Sequence, residues 1–415
     1  MLSTIGVILL LISPLSSVSA KIIELRYSTY LGTEFEEGDY GPAVAIDSLG
    51  AAYLTGSTIA NIAFPTINPY QSHVIGPNPE VFVSKFNPSG SSLEYSTYLG
   101  GKSNYSAGLD IAVDSEGRAW VAGFTACTDF PVVNPYQSIN TGGEEGFVSC
   151  FSPSGSNLEF STYLGGGGDD WIYSIDLNGN NHAYVTGRTG STDFPTLNPY
   201  QASHGGTGIY WNAFVTKFSS SGTGLIYSTY LGGIWFDIGK EIAVSSDGSA
   251  HLTGAAYSSN FPTFNAYQTS RASAPDAFLC HLNSSGSSLV FSTYLGGGSE
   301  DLGMAIAVTD SGVTYLTGET QSINFPTKGS YQSSLAGDKD AFTTLFSKDG
   351  DLNVSTYLGG AAGFNSGAGI AIDSGGEIWL TGSTSSPFFP TINPYQSRHG
   401  GGTDAFLACF SPGLS

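Results

Sequence analysis

Basic residues are scarce in this chain. Its 415 residues hold 13 Lys+Arg against 34 Asp+Glu, a formal net charge of −21. No Lys/Arg run offers a local exception, so a polyanion is repelled and nucleic acid is excluded as a partner. Long apolar runs are missing too. The stretch 5–12 is too short to span a bilayer, and nothing after it is longer, so the mature chain is expected to carry no transmembrane span. The four cysteines, Cys127, Cys150, Cys280 and Cys409, show no C-x-x-C spacing, which excludes a metal site of that kind. No G-x-S-x-G elbow, H-E-x-x-H helix or phosphate-binding loop occurs, so the common hydrolase, metalloprotease and nucleotide signatures are absent.

What is present is repetition. Tyr27-Ser28-Thr29-Tyr30-Leu31-Gly32 returns at 95–100, 160–165, 227–232, 291–296 and 354–359. The serines Ser28, Ser96, Ser161, Ser228, Ser292 and Ser355 are 68, 65, 67, 64 and 63 residues apart (96−28, 161−96, 228−161, 292−228, 355−292). A period of about 65 is too long for the common helical solenoids and suits one four-stranded propeller blade with a long loop.

Each period reads as four strands. The first is Val44-Ala45-Ile46-Asp47 and its relatives, where large and small residues alternate with period two. An Asp/Ser/Gly turn such as Asp114-Ser115-Glu116-Gly117 leads to the second strand, for example 119–123. A long loop follows with the text Phe64-Pro65-Thr66-Ile67-Asn68-Pro69-Tyr70-Gln71, whose prolines exclude a regular strand. The third strand, such as 81–86, turns through Ser and Gly into the fourth, which is the repeated Tyr-Ser-Thr-Tyr-Leu stretch. The chain starts on a fourth-type strand, 24–31, and ends on a third-type strand, 405–410. The expected fold is all-β: a single closed β-propeller of six four-stranded blades over 21–415, with the N-terminal strand completing the last blade and shielding its edge. Residues 1–20 read as a signal peptide ending in Val18-Ser19-Ala20, so a secreted or cell-surface location is expected.

The I-A-V-D-S-x-G-x-A-Y-V-T-G, F-P-T-x-N-P-Y-Q and Y-S-T-Y-L-G-G text resembles the SBBP beta-propeller repeat of exported bacterial and archaeal proteins, across essentially all of residues 24–410. The family's name implies seven blades, whereas this chain counts to six. The resemblance implies an extracellular scaffold and brings no catalytic residues.

Two sets of polar residues could hold a ligand. Asp39, Asp170, Asp237, Asp301 and Asn365 recur five places before the first strand's initial aliphatic, with Ser106 as the exception. Read as loop residues, they would converge near the channel mouth and offer oxygens to Ca²⁺ or another hard cation; the competing reading is that each caps its own glycine-rich turn. His73, His204 and His399 follow the Pro-Tyr-Gln text, and His204 and His399 hold equivalent places in blades 3 and 6. The expected function is a secreted or surface scaffold binding an extracellular protein or glycan on its long-loop face. The alternative is a divalent-cation-dependent lyase or hydrolase at the channel mouth. Asymmetry separates them, since an enzyme should concentrate its irregular polar residues in one pocket.

Overall fold

The computed structural model describes residues 28–29, 31, 43–58, 64–272 and 275–412. The signal segment and Asp39 lie outside the described residues. Among the described residues the regular elements are all strands, grouped in six sheets of consecutive antiparallel neighbours, the blades of a β-propeller. The first orders β1 (Ala43–Ile46), β2 (Ala52–Thr58), β3 (Glu80–Phe86) and β4 (Leu93–Leu99). The second has β5 (Ser106–Val113), β6 (Ala119–Thr125), β7 (Glu145–Phe151) and β8 (Leu158–Leu164). The third has β9 (Asp170–Leu177), β10 (Ala183–Thr189), β11 (Asn212–Phe218) and β12 (Leu225–Leu231). The fourth has β13 (Asp237–Val244), β14 (Ala250–Ala256), β15 (Asp276–Leu282) and β16 (Leu289–Leu295). The fifth has β17 (Asp301–Val308), β18 (Thr314–Thr320), β19 (Asp340–Phe346) and β20 (Leu352–Leu358). Among the described residues the sixth sheet is three-stranded: β21 (Asn365–Ile372), β22 (Ile378–Thr384) and β23 (Asp404–Phe410). The expected completion of that sheet by residues 24–31 falls almost wholly outside the described residues.

Two compact units result. Residues 1–140 with 144–164 carry the first two sheets, and residues 141–143 with 165–415 carry the other four. The core of the first unit packs Val81, Val83, Val121, Phe147 and Tyr163. That of the second includes Val215, Leu231, Leu252, Phe278 and Tyr294. In the second unit the first strands of successive blades, β9, β13, β17 and β21, lie side by side.

The first strand is longer than its hydrophobic alternation suggests. A bulge interrupts it, between Gly239 and Glu241 in β13 and between Gly303 and Ala305 in β17. The extra residue shifts the phase of inward and outward positions. Asp170, Asp237, Asp301 and Asn365 therefore open strands rather than sit in a linking loop, which corrects the sequence reading. Opposite the bulge the second strand carries Gly187, Gly254 and Gly318, where a Cβ would stand 1.9 Å from the carbonyl oxygen of the paired first strand. This close approach is why Thr-Gly recurs in the second strand.

The repeated Tyr-Ser-Thr-Tyr-Leu stretch forms the fourth strand, and its side chains moor the long loop. In the third blade Ser228 Oγ donates to Pro195 O (2.6 Å), Thr229 Oγ1 accepts from Gln201 N (2.8 Å) and Tyr230 Oη accepts from Phe194 N (2.9 Å). Tyr230 Oη also donates to Ser191 O at 2.7 Å. Short bridges, Leu197 to Ser228 and Gln201 to Tyr230, lay the loop along the strand's outer edge. The loop turns at Asn198, whose φ is 46° and whose Nδ2 donates to Ile226 O at 3.2 Å. Asn68, Asn134, Asn265 and Asn393 take the same left-handed conformation, and the fifth blade uses Gly329 (φ 55°). Asn and Gly tolerate that region best.

Candidate functional site

The row of acids that open the first strands is buried and engaged within the fold. Asp237 Oδ2 accepts from Gly233 N (2.7 Å) and Ser258 Oγ (2.6 Å), and its Oδ1 from Ser258 N (3.1 Å). Asp301 Oδ2 accepts from Gly297 N (2.7 Å) and Ser322 Oγ (2.8 Å), and its Oδ1 from Thr320 Oγ1. Asp170 Oδ2 accepts from Gly166 N (2.8 Å) and Ser191 Oγ (2.7 Å). Each acid clamps the glycine corner entering its strand to the segment leaving the next one. Asn365 keeps the place without charge, accepting from Thr384 Oγ1 at 2.6 Å and donating to Asp340 Oδ1 at 3.1 Å. Ser106 does so through a threonine, its Oγ lying 2.7 Å from Thr125 Oγ1. Burial pushes the Asp237 and Asp301 carboxyls up to about 6, against the hydrogen bonds they accept. Among the described residues no group of three or more His, Cys, Asp or Glu is placed to hold a metal ion.

The histidines stay within their own loops. His73 is exposed, with Nδ1 3.0 Å from Ser72 Oγ. His204 and His399 adopt one local design, in which Nδ1 accepts the backbone N–H two residues on, at 3.0 Å from Gly206 and 3.1 Å from Gly401. His204 is buried edge-on against Tyr230, with ring centroids 5.6 Å apart, and burial pulls its pKa down. His399 Nε2 lies 3.2 Å from Thr384 O and 3.9 Å from Asp404. No described contact joins one of these histidines to another.

A second polar row escapes the sequence reading. Glu80, Glu145, Asn212, Asp276, Asp340 and Asp404 open the third strands. The Gln that closes the long loop's repeated text, as Ala266-Tyr267-Gln268 and Ser330-Tyr331-Gln332 in these blades, reads this row: Gln268 Nε2 donates to Asp276 Oδ2 and Gln332 Nε2 to Asp340 Oδ2, both at 2.8 Å. Its Oε1 accepts from the glycine ending the repeated stretch, Gly296 or Gly359, at 3.0 Å. A polar residue immediately before each third-strand apolar run was the available signal. Both rows repeat with the fold, which ties them to blade construction.

One place breaks the repetition. In the third blade Arg188 on β10 pairs with Trp171 on β9. The Arg188 guanidinium carbon stands 3.9 Å from the Trp171 ring centroid and 3.7 Å from that of Trp211, which lies just before β11. Trp211 contacts Phe236 (5.1 Å), Phe236 contacts Tyr210 edge-on (4.8 Å), and Tyr210 stacks on Trp235 (4.8 Å, 20°). Trp235 is 48% exposed and neighbouring Ile209 75% exposed. Lys240, on β13, sits 4.5 Å over the Tyr173 ring of β9. Burial and then the Arg188 charge lower its pKa. Three of the chain's five tryptophans gather here. At the place of the Arg188–Trp171 pair other blades have Phe124–Ala107, Ala255–Ile238, Glu319–Leu302 and Ser383–Ser366. Tyr210 and Trp211 end a long loop, and Trp235 and Phe236 sit on the link into β13.

Residues 26–63 and 159–195 match the family model of the SBBP beta-propeller repeat. No curated protein matches the sequence. Among solved structures, the NanB sialidase from Streptococcus pneumoniae is similar at 9% identity, over 86% of this chain and 67% of that one, with a TM-score of 0.44. The Hadza microbial sialidase Hz136 is similar at 9% identity, over 82% of this chain and 62% of that one, with a TM-score of 0.40. The gluconolactonase XC5397 from Xanthomonas campestris is similar at 10% identity, over 85% and 96%, with a TM-score of 0.36. Likeness this low carries no argument about activity. The chain therefore carries the SBBP beta-propeller repeat in those two segments, within a fold of six blade sheets.

Proposed function

We propose that this protein is an exported scaffold, secreted or held at the cell surface, that binds a glycan at the aromatic cluster of its third and fourth blades. The single observation that supports this reading is the stacked pair Tyr210–Trp235 at the end of a continuous run of rings, with Trp235 half exposed. A flat, amphipathic ring pair offers a sugar an apolar face, with polar groups at its margin. The repeat-breaking character of the cluster favours a ligand over a blade-building role, because the other blades fold without it. Loops on a rigid framework are where such residues collect.

Affinity electrophoresis of the mature protein through gels containing neutral and acidic polysaccharides tests the reading. Retardation by at least one polysaccharide is expected, together with its loss in Trp235→Ala and Tyr210→Ala variants that keep the parent's circular dichroism. Unretarded parent protein across the panel, or retardation that survives both substitutions, overturns it.

A further inference from the structure

We propose that Arg188 and Lys240 form a subsite for the carboxylate of an acidic oligosaccharide, framed by Trp171, Tyr173 and Trp211. The proposal rests on the glycan-binding reading above and names the class of glycan.

The guanidinium geometry is the first argument. Arg188 is packed against two indoles, its guanidinium carbon 3.9 Å from the Trp171 centroid and 3.7 Å from that of Trp211. A planar guanidinium packed against two rings keeps the edge of its N–H fork for an acceptor. A carboxylate is flat and presents two oxygens in one plane, which suits the arginine fork better than a single carbonyl. Arg188 Nε is a buried donor with no protein partner. Leaving such a donor unmatched is costly, so the arrangement is one that an incoming acceptor improves.

Charge is the second argument. In the fifth blade Glu319 takes the place of Arg188, and it is neutralised by Lys339 at 2.6 Å. That pair lines a cleft of about 240 Å³ with Phe364, Ser366 and Ser385. Elsewhere Arg118 is matched by Asp114 (2.6 Å), and Lys85 by Glu94 (3.0 Å). Arg188 and Lys240 form no ion pair with a described acid, although the chain has 34 acids for 13 bases. Instead both cations lie near the Tyr173 ring, Arg188 at 6.0 Å and Lys240 at 4.5 Å from its centroid, and the Arg188 charge acts on Lys240. Two like charges held together and partly dehydrated disfavour each other until an anion joins them.

Spacing is the third. The exposed Trp235 is separated from Trp211 by two intervening rings, Phe236 and Tyr210, in contacts of about 5 Å each. One sugar ring cannot cover both Trp235 and Arg188. A chain of several residues can stack one ring on Trp235 and present an acidic group to Arg188 and Lys240.

The test measures binding of the mature protein to polygalacturonate, alginate and hyaluronan, to methyl-esterified polygalacturonate and to dextran sulfate, by isothermal titration at low and moderate salt. The parent is expected to bind a uronate polymer at least about tenfold more tightly than the esterified form, in a salt-sensitive way. Lys240→Met should erase that preference while leaving the weaker binding of the ester unchanged, and Arg188→Gln should erase the preference too. Lys240→Met carries the test should Arg188→Gln fail to fold. Equal binding of acid and ester, or a preference that persists in the folded variants, overturns the subsite and leaves the glycan-binding reading standing. Dextran sulfate binding as tightly as the best uronate overturns the carboxylate assignment. No binding to any of the polymers overturns both readings.

Discussion

The guanidinium carbon of Arg188 lies 3.7 Å from the ring centroid of Trp211. The two residues come from different segments, β10 and the end of the long loop after it. Their contact joins the loop that carries Tyr210 to the sheet beneath. A cation on an indole contributes about 0.5–2 kcal/mol, depending on desolvation. A double-mutant cycle with Arg188→Gln and Trp211→Leu should give a coupling in that range by chemical denaturation. Additive effects of the two substitutions would show that the contact does not contribute to stability.

The two tyrosines of the repeated stretch should respond oppositely to loss of a hydroxyl. Tyr230 Oη accepts from Phe194 N and donates to Ser191 O, so Tyr230→Phe strands a buried donor and an acceptor. The expected cost is about 1–3 kcal/mol. Tyr227 Oη is buried with no partner. Blades 2 and 4 already have Phe160 and Phe291 at that place. Tyr227→Phe should therefore be neutral or stabilising. Thermal melting of the two single variants decides the matter, and equal losses would contradict the hydrogen-bond assignment.

His251 should make the protein acid-sensitive. It is buried, stacked on His281 with centroids 3.9 Å apart, and bonded to Thr314 Oγ1 at 2.9 Å. Burial first, then the His281 charge, lower its pKa from 6.5 to about 3, against the pull of Asp247. A base whose folded pKa lies below its unfolded one contributes stability above 6.5 and loses it as pH falls toward 3. His251→Tyr restores the aromatic of Tyr184 and Tyr315 and should flatten the fall in melting temperature between pH 6.5 and acid. A variant that is as acid-sensitive as the parent would place the effect elsewhere.

Asp301 works in the other direction. Its carboxyl is raised from 3.8 to about 6 by burial, with Asp276 adding to the shift. A raised acid contributes stability in full below 3.8 and loses it as pH rises through 6. Asp301→Asn reproduces the Asn365–Asp340 arrangement of the next blade, in which the amide donates to the acid at 3.1 Å. Its melting temperature should decline less than the parent's between pH 4 and pH 7. A steeper decline in the variant would show that the charged form is the favoured one.

Gly329 is the exception in a row of left-handed asparagines. Its φ is 55°, and a Cβ there would meet nothing within 4 Å. Gly329→Asn should be stabilising by about 0.4–1 kcal/mol, through a less flexible unfolded chain. Gly329→Val, whose branched side chain resists positive φ, should be destabilising. Denaturant midpoints of the pair test the assignment.

The repeat period, the four-strand order and the mooring loop are legible in the sequence, because each blade repeats the same local solution. Tyr-Ser-Thr-Tyr-Leu recurs since three of its side chains hold one loop. Asn-Pro recurs since one backbone position is left-handed. The fate of the acidic row was not legible. Asp237 and Asp301 look like loop ligands until a bulge lengthens the strand and turns their carboxylates onto Ser258 and Ser322, residues 21 positions away. The aromatic cluster was hidden for the opposite reason. Trp171, Arg188, Trp211 and Trp235 belong to four separate segments and share no spacing, so only pairing of β9 with β10 and the folding of two loops over them brings the rings into contact. Periodic features are determined by local hydrogen bonding and are written in each repeat. A site that occurs once depends on which unlike side chains meet, and that was decided by the tertiary structure.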